Sequence, residues 1–421
     1  MNILLIGSGG REHALAWKLV QSKHCEKLFV APGNAGTAAL ATNLDIKVLD
    51  FEALAAAVSE HQIHMLIVGP EEPLVKGITD FFKHNKDLMV IGPDTAGAAL
   101  EGSKAFAKEF MASASIPTAS YAAFTADQAG AAINFLDQMQ APYVIKADGL
   151  AAGKGVIITE SKEEAAKTIE EMLHGKFGAA GSTLVLESFL DGIEYSVFVL
   201  SDGKNWKMLP VAKDYKRVGE ADTGPNTGGM GAICPVPFFT DQLRQKTIDR
   251  IIQPTMDELV KRGIIYKGFI FIGLINVSGD PYVIEYNCRM GDPETEVVMP
   301  ALQSDLVELL QSVHDGTLDQ KEVTQTDLFT CTIMLCSGGY PDAYEKGKAI
   351  SIPENIDKET YIFHAGTSFD NQGKLITNGG RVMAITSQAE DITTALVHSL
   401  SVADSVDFDG KFYRKDIGFD L

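Results

Sequence analysis

Tyr282-Val283-Ile284-Glu285-Tyr286-Asn287-Cys288-Arg289-Met290-Gly291-Asp292-Pro293-Glu294-Thr295-Glu296 is the stretch from which the chain is best read. It opens as an apolar strand, and period-2 alternation brings Glu285 and Asn287 out on one face. A carboxylate beside a carboxamide offers hard oxygen donors, which Mg²⁺ takes together with substrate phosphates. Arg289 follows on the same face, and a guanidinium can clamp a phosphate or carboxylate through two parallel hydrogen bonds. The plain alternative is a strand end closed by a Glu–Arg pair, but the acid-rich loop after Arg289 shows no packing pattern.

The composition around this strand is that of a globular chain. Its 421 residues suffice for roughly two to four domains. A net charge of −20 excludes a general nucleic-acid binder, which needs basic stripes. Anionic small molecules must be drawn in by local Lys and Arg. The longest apolar runs, Ile3 to Ile6 and Phe269 to Ile275, fall far short of the roughly 20 residues of a membrane span. A strand begins at Asn2 and leaves no room for a leader, so a cytoplasmic location is expected. Five scattered cysteines, Cys25, Cys234, Cys288, Cys331 and Cys336, lack zinc or redox spacing and read as reduced thiols. Cys288 is expected to be a small apolar residue and not a nucleophile.

Strand and helix patterns alternate over residues 1–102, with strands at Asn2–Ile6, Lys27–Ala31, His64–Val68 and Leu88–Ile91 and helices at Glu12–Ser22 and Phe51–His61. This predicts an α/β domain with a doubly wound parallel sheet. Ligands of such sheets sit at the carboxyl ends of the strands. The turns there are Gly7-Ser8-Gly9-Gly10, Pro32-Gly33-Asn34-Ala35-Gly36 and Gly69-Pro70-Glu71-Glu72-Pro73. Residues 103–326 read as an α+β segment. It holds a helix from Ser103, strands around Lys146, Thr183–Phe189 and Glu194–Leu200, one long helix over Thr240–Arg262, and a hairpin ending at Glu285. Lys213–Gly231 reads as a long loop, and loops of that length are commonly functional. Residues 327–421 read as a small β-rich α+β domain with a last helix over Glu390–Ala403.

The first turn nearly matches a dinucleotide-binding fingerprint but has Glu12 where the third glycine belongs, which argues against NAD. A turn feeding a helix N-terminus can still hold a small phosphate. In the middle segment Lys146 ends a strand and Gly149-Leu150-Ala151-Ala152-Gly153-Lys154-Gly155 follows, small residues that let backbone amides approach phosphates while lysines neutralise them. The pattern is not a P-loop, since no helix opens after the lysine. Leu184 to Leu190 is a strand end whose free backbone groups can read an adenine edge, and Glu194 is placed to meet ribose hydroxyls. The run Gly228-Gly229-Met230-Gly231, close behind the charged stretch from Lys213, suggests backbone shaped around a ligand.

From end to end the chain resembles the glycinamide ribonucleotide synthetase (phosphoribosylamine–glycine ligase) family of ATP-grasp enzymes. The resemblance rests on Asp222 to Gly231 and, most specifically, Arg289 to Glu296. Gly7 to His13, Asn34 to Thr37, Gly69 to Leu74, His364 to Thr367 and Gly379 to Val382 add to it. Tyr215 where the family often has His, and Ile233-Cys234-Pro235 for Tyr-Ser-Pro, are small departures.

The resemblance implies a central ATP-grasp fold of two α+β lobes, with a lid over about 117–192. It implies ATP held by Lys104, Lys146, Gly153, Lys154, Glu187, Leu190 and Glu194, and Mg²⁺ or Mn²⁺ held by Glu285 and Asn287. Gly273 stands where many relatives carry a further acid; Glu294 or Glu296 could contribute instead. Arg289, Asp214 and Lys146 take the catalytic roles, with Asp214 meeting glycine's ammonium. Arg289, Gly291, Asp292 and Pro293 line the substrate site. The sugar phosphate rests either on Gly9 and Gly10 or on Asn34 to Gly36. His13 is either a proton acceptor or a structural histidine. The implied reaction is ATP-dependent ligation of glycine to phosphoribosylamine through glycyl phosphate, in purine biosynthesis, with another ATP-grasp carboxylate–amine ligase as the alternative. The expected partners are small molecules only, with no nucleic acid or membrane, and the chain is expected to be a monomer or dimer.

Overall fold

Residues 1–150, 155–176 and 182–421 are described by the structure, a computed structural model. Strand β1 (Asn2–Gly7) is buried from Ile3 onward and lies between β2 (Lys27–Pro32) and β4 (Ile63–Val68). With β3 (Thr42–Asn43) and β5 (Met89–Ile91) they form a parallel sheet in the order β3-β2-β1-β4-β5. Helices α1 (Gly10–Leu19), α2 (Phe51–Glu60), α3 (Glu71–Val75), α4 (Ile78–Phe82) and α5 (Thr95–Gly102) complete this unit. It is the doubly wound sheet that the alternating pattern predicts.

Ser103 ends α5 and caps α6 (Lys104–Ser113), its hydroxyl accepting the Phe106 N–H. A four-stranded antiparallel sheet follows, built from β6 (Tyr121–Thr125), β7 (Tyr143–Ala147), β8 (Val156–Thr159) and β9 (Thr183–Ser188) in the order β6-β9-β7-β8. Helices α7 (Ala129–Phe135) and α8 (Lys162–Glu171) bury Ala132, Ala165 and Ile169 against Ile145, Leu184 and Leu186. This small separate core makes the sheet a lobe of its own, over the residues where a lid is expected.

The chain continues through β10 (Ile193–Asp202), β11 (Trp206–Met208), β12 (Lys213–Asp214), β13 (Arg217–Gly219), β14 (Thr223–Asn226) and β15 (Gly231–Cys234). Helices α9 (Asp241–Thr247) and α10 (Gln253–Lys261) lead to β16 (Lys267–Val277) and β17 (Asp280–Asn287). The second lobe is the antiparallel sheet β11-β10-β16-β17. The single long helix expected over 240–262 is interrupted by a wider turn at Ile248–Ile252, just before Pro254, whose missing N–H breaks the regular hydrogen-bond ladder.

Helices α11 (Thr295–Ala301) and α12 (Leu306–Asp315) precede β18 (Phe329–Cys336), β19 (Thr360–His364), β20 (Thr367–Phe369), β21 (Leu375–Thr377), β22 (Arg381–Ala389) and α13 (Ile392–Ser405). The main C-terminal sheet has the order β12-β15-β18-β22-β19. One of its strands, β12, therefore comes from the stretch 213–231, which the sequence presents as a loop, and a second, β15, starts at its last residue. Lys213 pairs with Ile233 and Asp214 with Ala232, a ladder too short to leave a readable alternation. The last segment thus completes a sheet begun in the middle of the chain.

Candidate active site

A cleft of about 530 Å³ lies between the lid and the second lobe and is rimmed by the N- and C-terminal units. Strand β17 supplies its floor. A bulge places Gly273 opposite Glu285 and Leu274 opposite Val283. Tyr286 turns away into the core and its hydroxyl lies 2.7 Å from that of Thr255. Glu285 and Asn287 face the cleft, as alternation requires. No cation pairs with Glu285 among the described residues, and the buried Asn287 amide nitrogen has no partner. The free Glu285 carboxylate fits an oxygen-ligated divalent cation, which Asn287 would join through its carboxamide oxygen, while its unpartnered nitrogen is a donor open to an acceptor on a ligand.

The lid wall is cationic and tightly braced. The Glu187 carboxylate on β9 lies 2.9 Å from the Lys108 ammonium and 3.0 Å from that of Lys146 on β7. Burial works against ionisation of Glu187, yet these two lysines hold it below its ordinary value. Lys108 also donates to the Thr118 hydroxyl, and burial pulls it down to about 8. Lys104, on the first turn of α6, donates to the Gly149 carbonyl at 3.0 Å and has no carboxylate partner among the described residues. Asp148 accepts from Ala105 N–H and Ser103 hydroxyl, which ties the end of β7 to the α6 N-terminus.

Opposite the lid, the Lys216 ammonium lies 2.7 Å from Glu194 and 4.0 Å from Asp214. Burial opposes its charge, but Asp214, Glu194 and Glu285 together raise Lys216 well above its usual value. Arg289 donates from Nε to Glu71, from Nη2 to Glu101 at 2.6 Å and from Nη1 to the Met290 carbonyl. Three of its five N–H groups are engaged, which leaves two for a ligand. Arg381 on β22 reaches Asp292 at 2.9 Å and the Gly228 carbonyl at 2.6 Å.

Comparison with known proteins now bears on this geometry. Residues 1–101 match the family model of the phosphoribosylglycinamide synthetase N domain. Residues 102–295 match its ATP-grasp (A) domain, and residues 330–420 its C domain.

The chain belongs to the phosphoribosylglycinamide synthetase family.

Phosphoribosylamine–glycine ligase of Pasteurella multocida is 48% identical over 423 residues, spanning 100% of this chain and 98% of the relative. The crystal structure of phosphoribosylamine–glycine ligase from Thermotoga maritima superposes with a TM-score of 0.87 at 35% identity, covering 99% of this chain and 100% of that one. A biotin carboxylase domain from Hydrogenobacter thermophilus, solved with ADP, magnesium and bicarbonate, shares the fold at a TM-score of 0.74 and 17% identity, over 98% of this chain and 91% of that one. Membership of an ATP-grasp family makes this chain a user of ATP, in keeping with the braced lysines of the cleft.

The cleft of this family member gathers most residues singled out in the sequence: Lys104, Lys146, Glu187, Leu190, Glu194, Asp214, Glu285, Asn287, Arg289 and Asp292 all line it. Gly153 and Lys154 lie outside the described residues. Gly9, Gly10, Asn34 and Gly36 are not among the lining residues, and the N–H groups of Gly9 and Gly36 and the Asn34 carboxamide are used internally. Glu12 turns back to accept the Gly9 N–H at 2.6 Å, and its carboxylate fills the space beside Gly7 and Gly69. The side chain that spoils the dinucleotide fingerprint therefore occupies the crevice itself. Asn34 accepts from Gly36 and Thr37 N–H and donates to the carbonyls of Ser8 and His364. It joins the N- and C-terminal units.

The Gly228–Gly231 backbone is shaped by protein. A Cβ at Gly228 would meet the Arg381 guanidinium at 2.9 Å, one at Gly229 (φ +116°) Pro293 at 2.3 Å, and one at Gly231 the Thr332 carbonyl at 2.6 Å. His13 is structural: its Nδ1 accepts the His364 N–H at 2.7 Å, and burial with the neighbouring His364 drives it down to about 3. Cys288 donates its N–H to Glu101, and burial raises its thiol far above reactive values. The Glu187 carboxylate is spent on lysines, so only backbone near it is left for an adenine. Lys108, Lys216, Glu71, Glu101, Arg11 and Arg381 were missed. Lys108 was legible, standing one turn after Lys104 on the same helix face. Arg11, Glu71, Lys216 and Arg381 lie in runs the sequence already marks, but which partner each meets is set by elements distant in the chain, and Glu101 left no local signal.

Proposed function

We propose that this chain catalyses ATP-dependent ligation of glycine to phosphoribosylamine through glycyl phosphate, releasing ADP and phosphate as a step of purine biosynthesis. The full-length match to curated phosphoribosylamine–glycine ligases carries this reading. The cleft supplies chemistry to match it. Lys104 and Lys146 neutralise the ATP phosphates and hold the γ-phosphoryl in line with the glycine carboxylate. Phosphoryl transfer needs positioning and charge more than covalent help, and both lysines sit in a wall fixed by Glu187. Glu285 and Asn287 would hold Mg²⁺ or Mn²⁺, which when bound supplies positive charge against the phosphoryl oxygens. Arg289, held by Glu71 and Glu101, directs its two free N–H groups at the acyl phosphate and the departing phosphate. Asp214 meets the glycine ammonium, and Gly291, Asp292 and Pro293 shape the acceptor side. The protein acts in the cytoplasm; no helix among the described residues is long and apolar enough to cross a membrane.

A coupled assay of ADP release tests this. Steady release is expected only with ATP, glycine, a divalent cation and an acceptor amine together, the amine being phosphoribosylamine in this assay. Equal release with glycine or phosphoribosylamine omitted would reject the reading.

A further inference from the structure

Most carboxylates lining the cleft have a cation partner: Glu187 has two lysines, Glu194 has Lys216, Asp292 has Arg381, and Glu71 and Glu101 share Arg289. Asp214 keeps Lys216 at 4.0 Å. Glu285 and Glu294 are left with no ion pair among the described residues, and Glu285 stands with Asn287 on the cation face. Glu294 begins α11, is 3% exposed and lines the cleft. Its Oε1 accepts the Ser196 hydroxyl at 2.9 Å. A Cβ on Gly291 would fall 2.4 Å from its Oε2, so glycine is the residue that leaves this carboxyl its place.

We propose that Glu294 accepts the proton of the amine that attacks the activated acyl group, a role that rests on the ligase reading above. In the step, the amine nitrogen forms a bond to the acyl carbon and the bond from that carbon to the phosphate oxygen breaks. The electron pair leaves on phosphate, and the N–H proton moves to the Glu294 carboxylate. The surroundings suit a base that works near neutrality. Asp214 and Glu296 face Glu294 with negative charge, Lys216 and Arg289 with positive charge, and Ser196 with a hydroxyl. Burial first and Asp214 second push its carboxyl up to about 7. Carboxylates clamped by lysine or arginine would be too weakly basic for the task.

The test compares two nucleophiles in the wild type, E294Q and E294D. Hydroxylamine traps glycyl phosphate as the hydroxamate and needs little help with its proton. In E294Q, turnover with phosphoribosylamine is expected to fall ~100-fold or more while hydroxamate formation stays near the wild-type rate. In the wild type, turnover with phosphoribosylamine rises with pH as the Glu294 carboxyl gives up its proton, and this limb is absent in E294Q. E294D keeps the limb at a lower rate, which serves if the Gln variant folds poorly. Unchanged turnover in E294Q, or parallel loss with both nucleophiles, overturns the assignment. Failure of the wild type to form hydroxamate would instead sink the ligase reading.

Discussion

Glu285 and Arg289 stand four residues apart and do different work because their partners differ. Glu285 has no cation neighbour at pairing distance among the described residues, so its charge is available to a ligand. Replacing it with Ala should abolish metal-dependent ADP release while the thermal midpoint stays close to wild type, and activity retained across a Mg²⁺ titration would remove it from the ligand set. Arg289 is the reverse case, a half-buried guanidinium bridging Glu71 and Glu101. Arg289→Lys cannot span both acids with a point charge. A loss of ~100-fold or more in kcat/KM is expected from the misplaced group. Near-normal kinetics would show that the planar fork is not needed.

At the level of elements, the lid wall depends on one carboxylate. Glu187 on β9 ties Lys146 on β7 to Lys108 on α6, so a strand pair of the lid and a helix of the body share one ion cluster. Glu187→Ala would leave two buried lysines uncompensated, at a cost of about 3–5 kcal/mol. The lowered carboxyl pKa gives the sign with pH: the stabilisation is present above its ordinary range and is lost as pH falls through the lower folded value. Amide exchange resolved by segment should quicken in β7 and β9 of the variant. Unchanged protection there, together with wild-type ATP affinity, would refute the brace.

Across the whole molecule, the N- and C-terminal units meet through neutral histidines. A Cβ on Gly36 would lie 2.2 Å from the His13 ring and 2.7 Å from His364, which shows how closely the surfaces approach. Burial brings His364 down to about 4, and burial with His364 brings His13 to about 3. Below an unfolded value of 6.5 the unfolded chain takes protons that the folded one refuses. This contribution is complete above that value and is lost as pH falls toward the folded ones. Glu294 and Glu296, both raised, act with the opposite sign and lose their contribution as pH rises. Between about pH 7 and pH 5 these two contributions oppose each other, so the histidine share is read as a difference: on acidification the thermal midpoint should fall less in His364→Asn, which lacks one of the two groups, than in the wild type. Equal drops in both proteins would place the acid sensitivity elsewhere.

Local pattern alone determined the parallel sheet and the strand that presents Glu285 and Asn287, because periodicity and turn chemistry act over a few residues. It also placed Lys104, Lys146 and Glu194 at the ends of such elements, whereas the two lobes and the role of Asp214 followed from the family resemblance. Tertiary structure alone decided which acid each base would meet. Glu71, Glu101 and Arg289 come from three separate elements, and Arg381 reaches Asp292 across 89 residues of chain. It likewise turned the loop 213–231 into the edge of the C-terminal sheet and closed the Gly9 and Asn34 turns with their own side chains. Charge pairing and close packing depend on distance in space, and a linear pattern carries no measure of that distance.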